Sequence, residues 1–165
     1  MTHTASLIIR NVAFTIVVPG LGGGLVPWWI AHGAGTGTGT GPLTWVGIVV
    51  IAAGAALYLW CAWLFAAAGD GTPGPWDAPR RFVAAGPYRW VRNPIYIAAL
   101  LVVLGQAGLF RSVPLLAYAA AMVVFCHLFV VGYEERALRR RFGDTYAAYL
   151  RAVHRWLPAP PRRAP

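Results

Sequence analysis

Among 165 residues there is no lysine, and only five acids, Asp70, Asp77, Glu134, Glu135 and Asp144, oppose 14 arginines. Charged residues make up 12% of the chain, where a soluble domain carries about 25%. That deficit, beside 58% hydrophobic residues, argues against a water-soluble fold. Cys61 and Cys126 each lie inside an apolar run, so a disulfide scaffold is excluded, and no His/Cys spacing supports a metal. The preference for arginine over lysine reads as genome composition, given the Ala, Gly and Pro richness, and no mechanism is drawn from it.

What is present is apolar length. A helix crossing a bilayer needs about 20 mostly apolar residues, and charge gaps divide the chain into four such stretches, about 7–31, 44–68, 95–110 and 113–132. The expected fold is an all-α integral membrane protein of about four transmembrane helices with a C-terminal interfacial helix, one domain over 1–158 and a disordered Pro-rich tail over 159–165. The cluster Pro19, Gly20, Gly22, Gly23 and Gly24 should bend or loosen the first span, which a bilayer tolerates when neighbours satisfy the freed carbonyls. The start is too weakly charged for a signal peptide. The Gly/Thr alternation from Gly35 to Gly41 reads as a flexible, functionally empty linker. The third and fourth spans, separated by only Arg111 and Ser112, form an antiparallel hairpin.

Arginines concentrate in two segments, four in 69–94 and eight after 132, with none in 32–43. The positive-inside rule then puts both termini and the 69–94 loop on the cytoplasmic side, with a bacterial inner (plasma) membrane as the expected location. A nucleic-acid partner is not expected, because the charge hugs the ends of apolar spans as topology requires.

The 69–94 loop is dense in Gly, Pro and aromatics. Gly69, Gly71 and Gly74 spell G-x-G-x-x-G, but a dinucleotide fingerprint needs a strand before it and a helix after it, and here a membrane span precedes and Pro75 follows. Pro94 suits the first turn of a helix and Asn93 its N-cap. Asn93 and Arg92 at that positive helix end could equally hold a carboxylate or phosphate. Arg89 and Arg92 could instead anchor lipid headgroups, and Tyr88, Trp90 and Tyr96 could be interfacial belt aromatics.

Glu134 and Glu135 close a stretch that is apolar from Val113 to Gly132, and acids at such depth are costly and usually functional. Neighbouring helical residues point about 100° apart, so one can face the bundle while the other faces water or pairs with Arg139 at i+4. A further helix is expected over 144–157, with Phe142, Tyr146, Tyr149 and Val153 on one apolar face and Arg151 and Arg155 elsewhere on the surface. His127, lone on an apolar helix, reads as a hydrogen-bonded packing residue.

Taken in order, Gly86-Pro87-Tyr88, Arg92-Asn93-Pro94-Ile95-Tyr96, Glu134-Glu135, Leu138, Phe142-Gly143, Tyr146, Tyr149 and Pro158 resemble the integral-membrane methyltransferases that comprise isoprenylcysteine carboxyl methyltransferases and phospholipid N-methyltransferases. The resemblance covers about residues 60–158. It implies S-adenosylmethionine as cofactor, bound at an active site on the cytoplasmic face, and a membrane lipid or prenyl-type acceptor. Carried over, Arg92, Asn93 and Tyr96 would hold the methionine part, and Glu134 and Glu135 would hold polar groups of the cofactor or orient the acceptor. Gly86 and Tyr88 fall in the same motif, and Gly69 and Gly71 are similar to the G-x-G element of the phospholipid branch. Glu134 and Arg89 are the candidate catalytic groups.

The sequence departs from the isoprenylcysteine branch at Asn93, where that branch has His, and at Leu128-Phe129-Val130-Val131, where it places arginines. A carboxylate acceptor wants a nearby cation, so an amine or other headgroup is equally in view. The alternatives are a nicotinamide-dependent (NADPH) membrane reductase on a related scaffold and a non-enzymatic membrane module. Oligomeric state is not readable from the sequence.

Overall fold

The computed structural model describes residues 9, 12, 13, 15–17, 19–69 and 82–160. Among them every regular element is helical. A wide π-helical turn, Gly20–Leu25, leads into α1 (Val26–Gly33). Then come α2 (Pro42–Leu64), which runs on as a π-helical turn Phe65–Gly69, a 3₁₀ turn Gly86–Arg89, and α3 (Pro94–Phe110). Helix α4 (Val113–Phe129) passes through a second π-helical segment, Val130–Glu134, into α5 (Glu135–Ala152).

The runs Pro42–Ala68 and Val113–Ala152 are long and apolar enough to cross a membrane, while the apolar Pro94–Phe110 is shorter. Their large side chains point outward, with Trp45 69% exposed, Phe125 66% and Val113 73%. An exterior of this kind matches a hydrocarbon solvent and points to a membrane protein.

Without a hydrophobic drive between helices in lipid, close backbone approach holds a bundle together, and α2 and α3 form the largest interface among the described residues. A methyl placed on Gly47 would stand 2.6 Å from the Gly105 carbonyl oxygen, and one on Gly54 2.8 Å from that of Ala98. Glycine at these positions is what lets the two helices touch. The carbonyls loosened in the first π turn find partners on neighbouring helices, as expected: Gln106 Nε2 donates to Gly23 O at 2.6 Å and the Tyr118 hydroxyl to Gly22 O at 2.8 Å.

Three expectations need correction. The fourth span does not end before a separate helix at 144–157. The helix resumes at Glu135, directly after the π segment, because the straight-chain residues of Glu135–Arg141 sustain it, and it ends at Ala152 because Val153 turns extended (φ −122°, ψ 136°). Gly143 kinks it, at φ 51° and ψ −126°, a conformation open to glycine alone. Residues 153–158 are therefore a non-helical strap. The Gly35–Gly41 linker is docked rather than free: Gly39 N donates to Leu109 O, Thr44 Oγ1 to Gly39 O, and the Arg111 guanidinium to Thr40 O. The tail does not begin free at Ala159, whose amide donates to Trp90 O at 3.0 Å. Residues 161–165, the early part of the first span and 70–81 of the loop lie outside the described residues.

Candidate functional site

Helix α3 starts at Pro94, whose missing N–H costs nothing in a first turn. Asn93 occupies the N-cap position, but its side chain does not cap. Its Nδ2 donates instead to the Arg155 carbonyl at 3.2 Å, so the expected capping role is corrected to a tether on the strap. One turn into the helix, the Tyr96 hydroxyl donates to Glu134 Oε2 at 2.7 Å. This bond joins α3 to the end of the π segment, and the segment accounts for it. Its wide turn shifts register by one residue, which points Glu134 at α3 and leaves Glu135 for the other side.

Glu135 does not pair with Arg139. Its Oε1 accepts from Arg155 Nε at 2.8 Å and from Arg92 Nη1 at 3.1 Å, and its Oε2 from Arg155 Nη2 at 3.0 Å. An i+4 surface pair offers one partner in water, whereas here two guanidinia converge on a buried carboxylate. Arg92 also donates through Nε to Val153 O and through Nη2 to Leu150 O, both at 2.6 Å, and its amide donates to His154 O at 2.9 Å. The strap is thus held along its length by the segment from Trp90 to Asn93.

Both glutamates lie past the apolar stretch Val113–Gly132, and their environments separate them. Burial pushes the Glu134 carboxyl above its ordinary value, against the Tyr96 hydrogen bond, and the neighbouring Glu135 charge adds to the rise. Burial would also raise Glu135, but hydrogen bonds and charge from Arg155, then Arg92, hold it below the ordinary range. The two environments thus push the neighbouring carboxyls in opposite directions.

The remaining residues singled out in the sequence fall around this centre. Tyr88 is buried, its carbonyl accepting from the Tyr149 hydroxyl at 2.7 Å, while its own hydroxyl lies against the Cys61 thiol. Gly86, at φ 54°, sits where a methyl would stand 2.8 Å from Leu64 Cδ1. Gly86 and Arg89 are not brought to the Tyr96–Glu134 pair; they line a separate, mostly apolar cleft of about 390 Å³ with Leu57, Trp60, Trp90 and Ile97. Gly69 ends the π turn after α2, and Gly71 lies outside the described residues. His127 is exposed rather than packed, yet hydrogen-bonded as expected, accepting at Nδ1 from Trp156 Nε1 at 3.1 Å. The aromatic face expected on the C-terminal helix forms: Phe82 packs edge-on against Tyr146 and Tyr149 and beside Phe142.

Sequence reasoning missed Arg155 and Trp156 as parts of the site. Arg155 was assigned to the surface because no i+3 or i+4 pattern reaches from Glu135 across 20 residues; the only available signal was a cationic and aromatic island, His154-Arg155-Trp156, just before Pro158.

The polar groups left over suit a ligand carrying both ammonium and hydroxyl groups. Glu134 Oε1 is unused among the described residues, and the buried Tyr88 hydroxyl, beside the Cys61 thiol, lies within electrostatic reach of Glu134. S-adenosylmethionine has such groups, so these residues fit it. Comparison with known proteins bears on the same region. A family model described as phospholipid methyltransferase matches residues 42–145, well over half of the chain and including Arg92, Asn93, Tyr96, Glu134 and Glu135. No curated protein and no solved structure matches.

Proposed function

The chain belongs to the phospholipid methyltransferase family, and from that premise we propose that it transfers a methyl group from S-adenosylmethionine to a headgroup amine of a membrane lipid. The observation that carries this reading is the half-buried Tyr96–Glu134 hydrogen bond at the end of the bundle.

The cofactor, when bound, supplies a methyl group on a positively charged sulfur. Tyr96 would hold its methionine part and Gly69 would let a polar ligand come close to the backbone, while Arg92 and Asn93, whose side chains are taken by Glu135 and the strap, would act by fixing that strap. Tyr96 fixes the rotamer of Glu134 through Oε2 and leaves Oε1 to face the acceptor. There Glu134 accepts a proton from the acceptor ammonium, which frees the nitrogen lone pair to attack. A carboxyl raised by burial holds that proton better than an ordinary one, which is what a general base in this position requires. Glu135 acts through Arg92 and Arg155, since both its oxygens are taken. In-line transfer depends chiefly on alignment, and the strap that these arginines fix provides it.

The apolar cleft with Arg89 at its side suits a lipid whose chains lie along Leu57, Trp60 and Ile97 and whose phosphate meets the guanidinium. An acceptor amine agrees with the absence of arginines on Leu128–Val131 that a carboxylate acceptor would need.

The test is to incubate the chain, in nanodiscs containing phosphatidylethanolamine, with methyl-labelled S-adenosylmethionine. Label is expected in the lipid extract, and not with phosphatidylglycerol as the only lipid. Absence of label from every amine-bearing lipid would sink the amine acceptor.

A further inference from the structure

The strap and α5 enclose a second cleft, of about 420 Å³, lined by Arg92, Glu135, Arg139, Ala147, Leu150, Arg151 and Arg155. Four guanidinia meet one carboxylate there. Glu135 is already shared by Arg92 and Arg155, and among the described residues neither Arg139 nor Arg151 donates to an acid. Among the described residues that line the cleft, four positive charges then stand against one negative, an imbalance that a bound anion would relieve.

The kink at Gly143 builds this cleft. On a straight helix Arg139 and Arg151 would lie about 18 Å apart along the axis and about 120° apart around it. The turn at Gly143, φ 51°, breaks that line and brings both side chains to one cleft. Arg92 and Arg155 form its fixed wall, held by Glu135, while Arg139 and Arg151 are exposed and free to close on a ligand.

We propose that the Arg92, Arg139, Arg151 and Arg155 cleft is a binding site for a phosphomonoester dianion, separate from the methyl-transfer centre. The excess of three charges matches a dianion better than the single charge of a phosphodiester, and forked guanidinia suit phosphate oxygens. A lipid headgroup such as phosphatidic acid and a free phosphomonoester present the same group. The site stands on its own geometry and does not depend on the methyltransferase reading.

The test uses the full chain in neutral detergent. Retention of phosphatidic acid and of phosphatidylglycerol is compared by native mass spectrometry, and glycerol 3-phosphate is titrated calorimetrically. Phosphatidic acid is expected to be retained at about tenfold lower concentration than phosphatidylglycerol, and the double variant R139Q/R151Q to lose that preference. The variant R136Q/R140Q removes the same charge from the same helix outside the cleft lining and should keep it. Binding of glycerol 3-phosphate alone would assign a soluble ligand, and binding only of the lipid form a headgroup; either upholds phosphate recognition. Equal losses in both double variants would reduce the effect to diffuse charge and overturn the site. So would the lack of any preference, or displacement by saturating S-adenosylhomocysteine, which would make the cleft part of the cofactor's own site.

Discussion

Replacing Glu134 with Gln is expected to lower the rate of methyl transfer by about a hundredfold or more, the range general-base removal commonly gives, while the protein stays folded. Gln has the size of Glu and its amide oxygen still accepts the Tyr96 hydroxyl, so geometry is kept and only the proton acceptor is lost. The pH profile separates this from a positioning effect. Burial raises the Glu134 carboxyl, so the wild-type rate should climb with pH through a limb lying above the ordinary carboxylate range, and that limb should vanish in E134Q. A rate within a few-fold of wild type, or an unchanged acid limb, would remove Glu134 from the chemistry.

The second large effect belongs to Glu135. Glu135→Gln leaves Arg92 and Arg155 facing a neutral group, and breaking a buried ion pair from one side costs about 3 kcal/mol. The expected consequence is local, faster amide exchange at Arg92 and Val153, with a lowered melting temperature. Arg155→Ala should do the same, and the double variant should cost less than the two singles summed, because they remove one interaction. Since the Glu135 carboxyl is held below its ordinary value, its contribution is present in full at neutral pH. It is lost as pH falls below the ordinary carboxylate value and through the depressed one. Protection of the strap amides, taken relative to the intrinsic exchange rate at each pH, should therefore fall in acid in the wild type and change little with pH in E135Q. Protection of the strap unchanged in E135Q would refute the clamp.

Much of the fold was legible because lipid solvent imposes a coarse rule: long charge-free runs become helices, and Pro94 and Val113 begin theirs within a residue of where the sequence puts them. Tyr96 and Glu134 were readable as candidates for the same reason, a polar group and an acid at the ends of apolar helices. What was not legible depends on geometry that periodicity does not encode. The π segment at Val130–Glu134 changes which glutamate faces α3, and nothing in Val-Val-Gly-Tyr-Glu announces a wide turn. Arg155 meets Glu135 only because the chain reverses after Ala152, a tertiary contact between residues with no local spacing rule. The docking of the Gly/Thr linker was hidden for a related reason. Its bonds run through backbone atoms, to Leu109 and from Arg111, so side-chain composition said nothing of them.

The central claim is that the Tyr96–Glu134 end of the bundle holds S-adenosylmethionine. The most direct measurement is a calorimetric titration of the purified chain in lipid nanodiscs with S-adenosylhomocysteine, and separately with reduced nicotinamide adenine dinucleotide phosphate. Saturable one-site binding of the adenosyl compound, weakened in Tyr96→Phe and absent for the nicotinamide, is the predicted result. Binding of the nicotinamide alone, or adenosyl binding indifferent to both Tyr96→Phe and Glu134→Gln, would contradict it.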